Sequence, residues 1–201
     1  MAASHDFSRL PPRLLQELRT DHAGETGAVM IYRGVLAVAR DAGLREFARH
    51  HLETESHHLH LIEQVLPRGL RSRLLPLWRL SGWLTGALPA LFGARAVYAT
   101  IESVETFVDR HYAAQVDFID DWLSQPSPVG DDPALRPDVR RDVRSALLVV
   151  RAMLEQCRLD EVMHREDAYA RWERRPGKSL SAWRLVVGLG SNAAVRVCRH
   201  L

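Results

Sequence analysis

Two Glu-x-x-His pairs stand far apart in the chain, Glu55/His58 and Glu161/His164. On an α-helix this spacing puts both side chains on one face, where a carboxylate and an imidazole can hold the same divalent cation. A single pair in a chain with ten histidines is weak evidence, because an exposed Glu and His at this spacing usually form only a solvated face. The neighbouring residues say more. Glu55 shares a stripe with Ala48, Leu52, Leu59 and Ile62, and Glu161 follows Val150, Leu154 and Cys157. The same test places Glu25 on the stripe of Leu18, Val29, Tyr32 and Leu36, and Glu105 on that of Ile101, Val108 and Tyr112. Four carboxylates therefore face a core.

Burying ionised carboxylates without partners costs at least several kcal/mol each, and four together also repel one another. Two divalent ions bring four positive charges to four glutamates, and the two imidazoles complete the donor set. Buried salt bridges to arginine are the bland alternative, but the arginines fall mostly off these stripes. A mixed carboxylate and imidazole set suits iron or manganese better than zinc and leaves the choice between those two open.

The elements that must position these residues follow from hydrophobic period and breakers. Pro11 and Pro12 open a helix over about 12–41, Asp41-Ala42-Gly43 breaks it, and a second helix runs over 44–66, ending before Pro67. An apolar connection occupies 70–94. It carries Arg71, Arg73 and Arg79, followed by LSGWLTGALPALFGA, fifteen uncharged residues broken by Gly82, Gly86, Pro89 and Gly93, and too few to span a bilayer. Further helices are expected over 95–122, 138–172 and 179–200, with a proline-rich loop at 124–138 and a stop at Arg174-Arg175-Pro176-Gly177. At about 1.5 Å per residue, Glu25 and Glu55/His58 differ in height by roughly 2 to 6 Å across the first hairpin, and Glu105 and Glu161 by within roughly 6 Å across the second. Four helices converge at one level. One Glu from each of two helices, with Glu-x-x-His from each of two others, is the ferritin-like di-iron carboxylate arrangement.

Composition agrees with one all-α domain over 1–201. The chain is 46% hydrophobic, only 7% aromatic, and rich in Ala, Leu, Arg and Glu. A formal charge of +2 lacks the basic balance of a nucleic-acid binder. Cys157 and Cys198 lie in no CxxC and read as buried thiols of a reducing compartment. The N-terminus shows no apolar run of signal-peptide length. Gly188-Leu189-Gly190-Ser191-Asn192-Ala193 matches a dinucleotide fingerprint by letter only, with no strand before it, so no cofactor-binding residue is assigned there. The 80–94 segment and LVVGLGSNAAV (185–195), the latter flanked by Arg184, Arg196 and Arg199, read as surfaces that dip into one membrane leaflet.

Five segments carry a family resemblance: DHAGETGA (21–28), ETESHHLH (53–60), PLW (76–78) with the Gly-rich stretch after it, SVETFVDRHYAAQ (103–115) and DEVMHREDA (160–168). From about Leu18 onward the chain resembles the demethoxyubiquinone hydroxylases. The resemblance implies a ferritin-like four-helix bundle with additional membrane-facing helices, and metal ligands Glu25, Glu55, His58, Glu105, Glu161 and His164, with Glu55 and Glu161 bridging two iron ions. It further implies an O2-dependent monooxygenase that hydroxylates the ring of a demethoxyubiquinol, a polyprenyl benzoquinol, in ubiquinone biosynthesis. Peripheral attachment to a membrane is implied too, at the cytoplasmic face of a bacterial cell membrane or the mitochondrial inner membrane of a eukaryote, with ubiquinone-biosynthesis proteins or further copies of the chain as partners. The sequence departs from the family pattern at Thr26, where an aromatic is common, and at Thr106, where a second acid is common. Rival readings are a ferritin-like ferroxidase or iron store and a non-catalytic membrane-bound metal protein.

Around this set, Tyr112 falls two turns after Glu105 on the same face, as a catalytic candidate or an ordinary core tyrosine. Asp21 and Asp160 are candidates to orient ligand histidines. Glu102 lies off the main stripe. Of His50, His51, His57 and His60, only His51 is expected to turn inward.

Overall fold

The computed structural model describes residues 5–125, 137–172 and 177–200, and these contain helices and no strand. Six α-helices follow one another: α1 (Pro12–Val38), α2 (Ala42–Val65), α3 (Leu75–Leu91), α4 (Ala94–Ser124), α5 (Pro137–Trp172) and α6 (Lys178–His200). Short 3-10 turns stand at Phe7–Arg9 and Arg68–Leu70. The all-helical bundle expected from the sequence is present. Most of the 124–138 loop and of the stop at 174–177 fall outside the described residues.

The α1/α2 hairpin is set by local chemistry. Pro12 opens α1, where a missing N–H costs nothing. At the other end, Arg45 donates to the carbonyls of Leu36 (2.6 Å) and Ala39 (2.9 Å), which have no partner within the helix. Asp41 caps α2, its Oδ1 accepting from the Leu44 amide at 2.7 Å. This ending makes α1 three residues shorter than its apolar period suggested.

The core of the four long helices α1, α2, α4 and α5 is apolar at both ends and polar in the middle. One cluster gathers Leu14 and Leu18, Ile62 and Val65, Val116 and Ile119, and Val150 and Leu154. The other gathers Tyr32 and Val35, Phe47 and Ala48, Val97 and Ile101, and Ala168 and Trp172. On each helix the Glu or Glu-x-x-His lies between these two sets, so all four helices contribute polar groups to one layer.

The apolar connection holds more regular structure than its glycines suggested. Residues 75–91 form α3, which lies along α1. Gly82 and Gly86 act as contact points, because without side chains they let the two backbones touch. A Cβ on Gly86 would stand 1.9 Å from the Ile31 carbonyl oxygen, one on Gly82 2.3 Å from that of Gly27, and one on Gly34 2.2 Å from that of Trp83. The spacing of the two glycines on α3 is the small-xxx-small pattern that permits such crossings.

α6 packs against α4 and α1. Trp183 donates its indole N–H to Thr100 Oγ1 at 2.8 Å, Arg184 pairs with Glu102 and Ser103, and Arg199 reaches Glu17 on α1 at 2.8 Å. Glu102, off the stripe as expected, thus anchors α6. The residues of the fingerprint-like run 188–193 lie inside this helix. Outward-facing apolar side chains line both added helices: Leu77, Leu80, Leu84, Leu88 and Leu91 on α3, with Phe92 just beyond it at 84% exposed, and Leu185, Val186 and Leu189 on α6. No described helix is long and apolar enough to cross a membrane.

Candidate metal centre

Six side chains meet in the polar layer: Glu25 from α1, Glu55 and His58 from α2, Glu105 from α4, Glu161 and His164 from α5. None is more than 4% exposed. Glu25, Glu55, His58 and Glu161 each offer a donor atom within 4.8 Å of the others, and so do Glu55, Glu105, Glu161 and His164. The two sets share Glu55 and Glu161. The stripes of the sequence brought together the same six residues.

Both histidines turn Nδ1 inward. His58 Nδ1 lies 3.1 Å from Glu161 Oε1, and His164 Nδ1 lies 3.2 Å from both Glu161 Oε2 and Glu55 Oε1. The outer nitrogen of His58, Nε2, lies 3.1 Å from Asp160 Oδ2, which fixes the ring and raises its basicity. Asp160 therefore stands where a ligand-orienting acid should stand. Asp21 does not. Its Oδ1 accepts from Gln115 Nε2 at 2.8 Å and lies 3.1 Å from His111 Nε2, one turn before Glu25 on α1 and against no proposed ligand histidine. The spacing of Asp21 relative to Glu25 was correct for the face, but that face at position 21 looks toward α4.

Two tyrosines hold the carboxylates of α1 and α4. The Tyr112 hydroxyl donates to Glu25 Oε1, and the Tyr32 hydroxyl donates to Glu105 Oε1 at 3.3 Å. Tyr112 thus touches one of the candidate ligand carboxylates. Tyr32 went unrecognised in the sequence, where it counted only as one apolar position of the α1 stripe; a buried hydroxyl needing a partner was the available signal. His51, the inward histidine, lies 3.0 Å from Asp167 Oδ2 with its ring centroid 4.1 Å from that of His164. His50, His57 and His60 are exposed.

Electrostatics show what the layer lacks. Burial, followed by the charges of Glu55 and Glu161, pushes the Glu25 carboxyl well above the usual carboxylate range, and burial with the same two neighbours does so for Glu105. Burial would push Glu55 up as well, but its contacts with His164 and His58 outweigh that and hold it low. Burial opposes the charged form of His164, yet Glu161 and Glu55 raise it to about 9, and the same balance raises His58. Without a cation, protons compensate the carboxylates. Even so, Glu25 Oε2 and both oxygens of Glu55 are buried and none accepts a well-formed hydrogen bond, although His164 Nδ1 lies 3.2 Å from Glu55 Oε1. Among the described residues, no arginine or lysine pairs with these carboxylates. Buried acceptors without well-formed hydrogen bonds, at ligand spacing, with imidazole nitrogens turned toward them, fit a pair of divalent cations.

Beside this layer opens a cavity of about 530 Å³. Glu25, Glu55, Glu105 and Glu161 form its inner end, and its walls come from α1, α3, α4 and α6, among them Ile31, Trp78, Phe107, Val108, Trp183 and Val187. The wall is overwhelmingly apolar apart from these carboxylates and the Asp21/His111 pair. Its outer part runs between α3 and α6, the two helices with exposed apolar faces.

The chain is similar to several known proteins. The chain is 35% identical over 161 residues to a 3-demethoxyubiquinol 3-hydroxylase of Rhodospirillum rubrum, covering 79% of this chain and 65% of that one. It is 32% identical over 127 residues to an NADPH-dependent 3-demethoxyubiquinone 3-hydroxylase, mitochondrial, of Dictyostelium discoideum, covering 62% and 55%. It is 37% identical over 103 residues to a 5-demethoxyubiquinone hydroxylase, mitochondrial, of Saccharomyces cerevisiae, covering 49% and 44%. The chain thus spans less than two thirds of the length of each of these relatives. The family profile described as "Ubiquinone biosynthesis protein COQ7" matches residues 12–198, nearly the whole chain. The chain belongs to the ubiquinone biosynthesis protein COQ7 family.

Proposed function

We propose that this protein is an O2-dependent di-iron monooxygenase that hydroxylates the ring of a demethoxyubiquinol during ubiquinone biosynthesis. The observation that carries the reading is the pair of overlapping donor sets, buried between two apolar clusters and open on one side to an apolar cavity. Glu25, Glu55, His58 and Glu161 would hold one iron, and Glu55, Glu105, Glu161 and His164 the other. When bound in its reduced form, the iron pair would supply the two electrons that, with two protons, split O2, one oxygen atom entering the ring and the other leaving as water.

The chain's own residues supply the rest. Asp160 fixes the tautomer and plane of His58, and Tyr112 and Tyr32 hold Glu25 and Glu105 in place. The apolar wall excludes bulk water from the reacting ring and offers dry contact to an isoprenoid tail. The exposed leucines of α3 and α6 flank the cavity, so a lipid-soluble quinol would enter from a membrane on which these two faces rest. A ferroxidase or iron store has no use for an apolar chamber of this size beside the metals.

The test is anaerobic loading of the purified protein with ferrous iron, addition of a demethoxyquinol and ¹⁸O2, and mass spectrometry of the ring. A product carrying one ¹⁸O supports the assignment. Oxidation of iron with unaltered quinol would sink it and favour the ferroxidase reading.

A further inference from the structure

A second concavity lies on the other side of α1 from the main cavity. It measures about 140 Å³ and is walled by His22, Arg33, Glu63, Arg71 and Arg79, with Leu75 at the start of α3. Three arginines line it from three separate parts of the fold: Arg33 from α1, Arg71 from the turn before α3, and Arg79 from α3. Glu63 is the one carboxylate in its wall, and its Oε1 is committed to Arg71 at 2.6 Å and lies 3.3 Å from His22 Nε2. Arg33 and Arg79 have no acidic partner among the described residues; Arg33 meets only the Met30 sulfur, at 3.9 Å.

Two further atoms point to a missing occupant. Arg71 Nε is buried with no acceptor, and His22, only 2% exposed, has no partner for Nδ1. Like charges gathered in a concave site repel unless an anion joins them, and an anion with several acceptor oxygens satisfies forked guanidinium donors best. We propose that this concavity binds a phosphate group. A lipid headgroup and a water-soluble phosphate share this chemistry, and the test separates them. Arg79 lies one turn after Leu75, on the side of α3 turned away from exposed Leu77, Leu80 and Leu84, so the concavity does not open onto that apolar face. The proposal goes beyond the catalytic reading and does not rest on it.

The test compares Arg33→Gln/Arg79→Gln with Arg68→Gln/Arg73→Gln, a control that removes two exposed charges from the same region outside the concavity. Both should fold as the parent does, which circular dichroism checks. Flotation with phosphatidylglycerol and with phosphatidylcholine vesicles measures membrane binding, and thermal shift with inorganic phosphate against chloride at matched ionic strength measures free phosphate. A lipid phosphate gives an about 30-fold loss of phosphatidylglycerol binding for the first variant, much less for the control, and no change for either on phosphatidylcholine. If the parent is stabilised by inorganic phosphate and the first variant is not, while lipid composition has no effect, the site holds but its phosphate comes from solution. Equal losses in the two variants, or no response to either probe, would overturn the proposal. Binding of the parent to phosphatidylcholine reports the apolar faces separately, so failure here and failure of the membrane reading are distinguishable.

Discussion

Replacing Gly86 with Ala tests whether the α1–α3 crossing is as close as it stands in the structure. The new Cβ would lie 1.9 Å from the Ile31 carbonyl oxygen and 2.7 Å from its carbon, both backbone atoms that no rotamer change can move. Reaching ordinary van der Waals contact requires the helices to separate by about 1.5 Å, and gaps of 0.5–1 Å already forfeit a quarter to a half of each contact's attraction. Overpacking of this kind costs about 3 kcal/mol, offset by about 1 kcal/mol of helix propensity gained on replacing Gly. A net loss of about 2 kcal/mol lowers the Tm of a chain this size by about 4–8 °C. Gly188, in α6, has open space where a Cβ would stand, with nothing within 4 Å, so Gly188→Ala gains propensity without a clash and raises Tm by about 1–4 °C. Calorimetry or circular dichroism melts of the two variants beside the parent decide the matter. A Gly86→Ala protein as stable as Gly188→Ala would refute the close crossing, and with it the shape of the cavity wall that α1 and α3 share.

Other expected outcomes concern the metal centre. Asp160→Ala removes the acceptor of His58 Nε2 and should weaken iron binding about 10- to 100-fold, measured by chelator competition; unchanged affinity would deny Asp160 its orienting part. Glu55 belongs to both donor sets and Glu105 to one, so Glu55→Gln should lose most bound iron while Glu105→Gln retains about half, read by elemental analysis. The metal-free protein should lose stability as pH rises from about 6.5, the ordinary histidine value, towards 9, because the His164 proton bound in the folded state is released there. Raised Glu25 and Glu105 act in the same direction, whereas His51, pushed down to about 4 chiefly by burial, acts only below that window. Iron loading displaces these protons and should flatten the slope; a metal-free protein whose Tm climbs between pH 6.5 and 9 would contradict the assignment.

What could be read from the one-dimensional chain was whatever depends on helical period. Period alone put Glu25, Glu55, Glu105 and Glu161 on core stripes, set each Glu beside its His, and levelled the four helices through the rise per residue. It also separated inward His51 from outward His50, His57 and His60. Period says nothing about how far one helix is rotated against the next. That rotation decided that Asp160 meets His58 whereas Asp21 meets His111, and that Tyr32 and Tyr112 reach Glu105 and Glu25. The glycines of α3 show the same limit. By sequence Gly82 and Gly86 looked like breaks, because a missing Cβ costs conformational entropy in an isolated helix. Only the crossing against α1 shows that the missing Cβ is what lets two backbones touch, and burial of that contact outweighs the local cost.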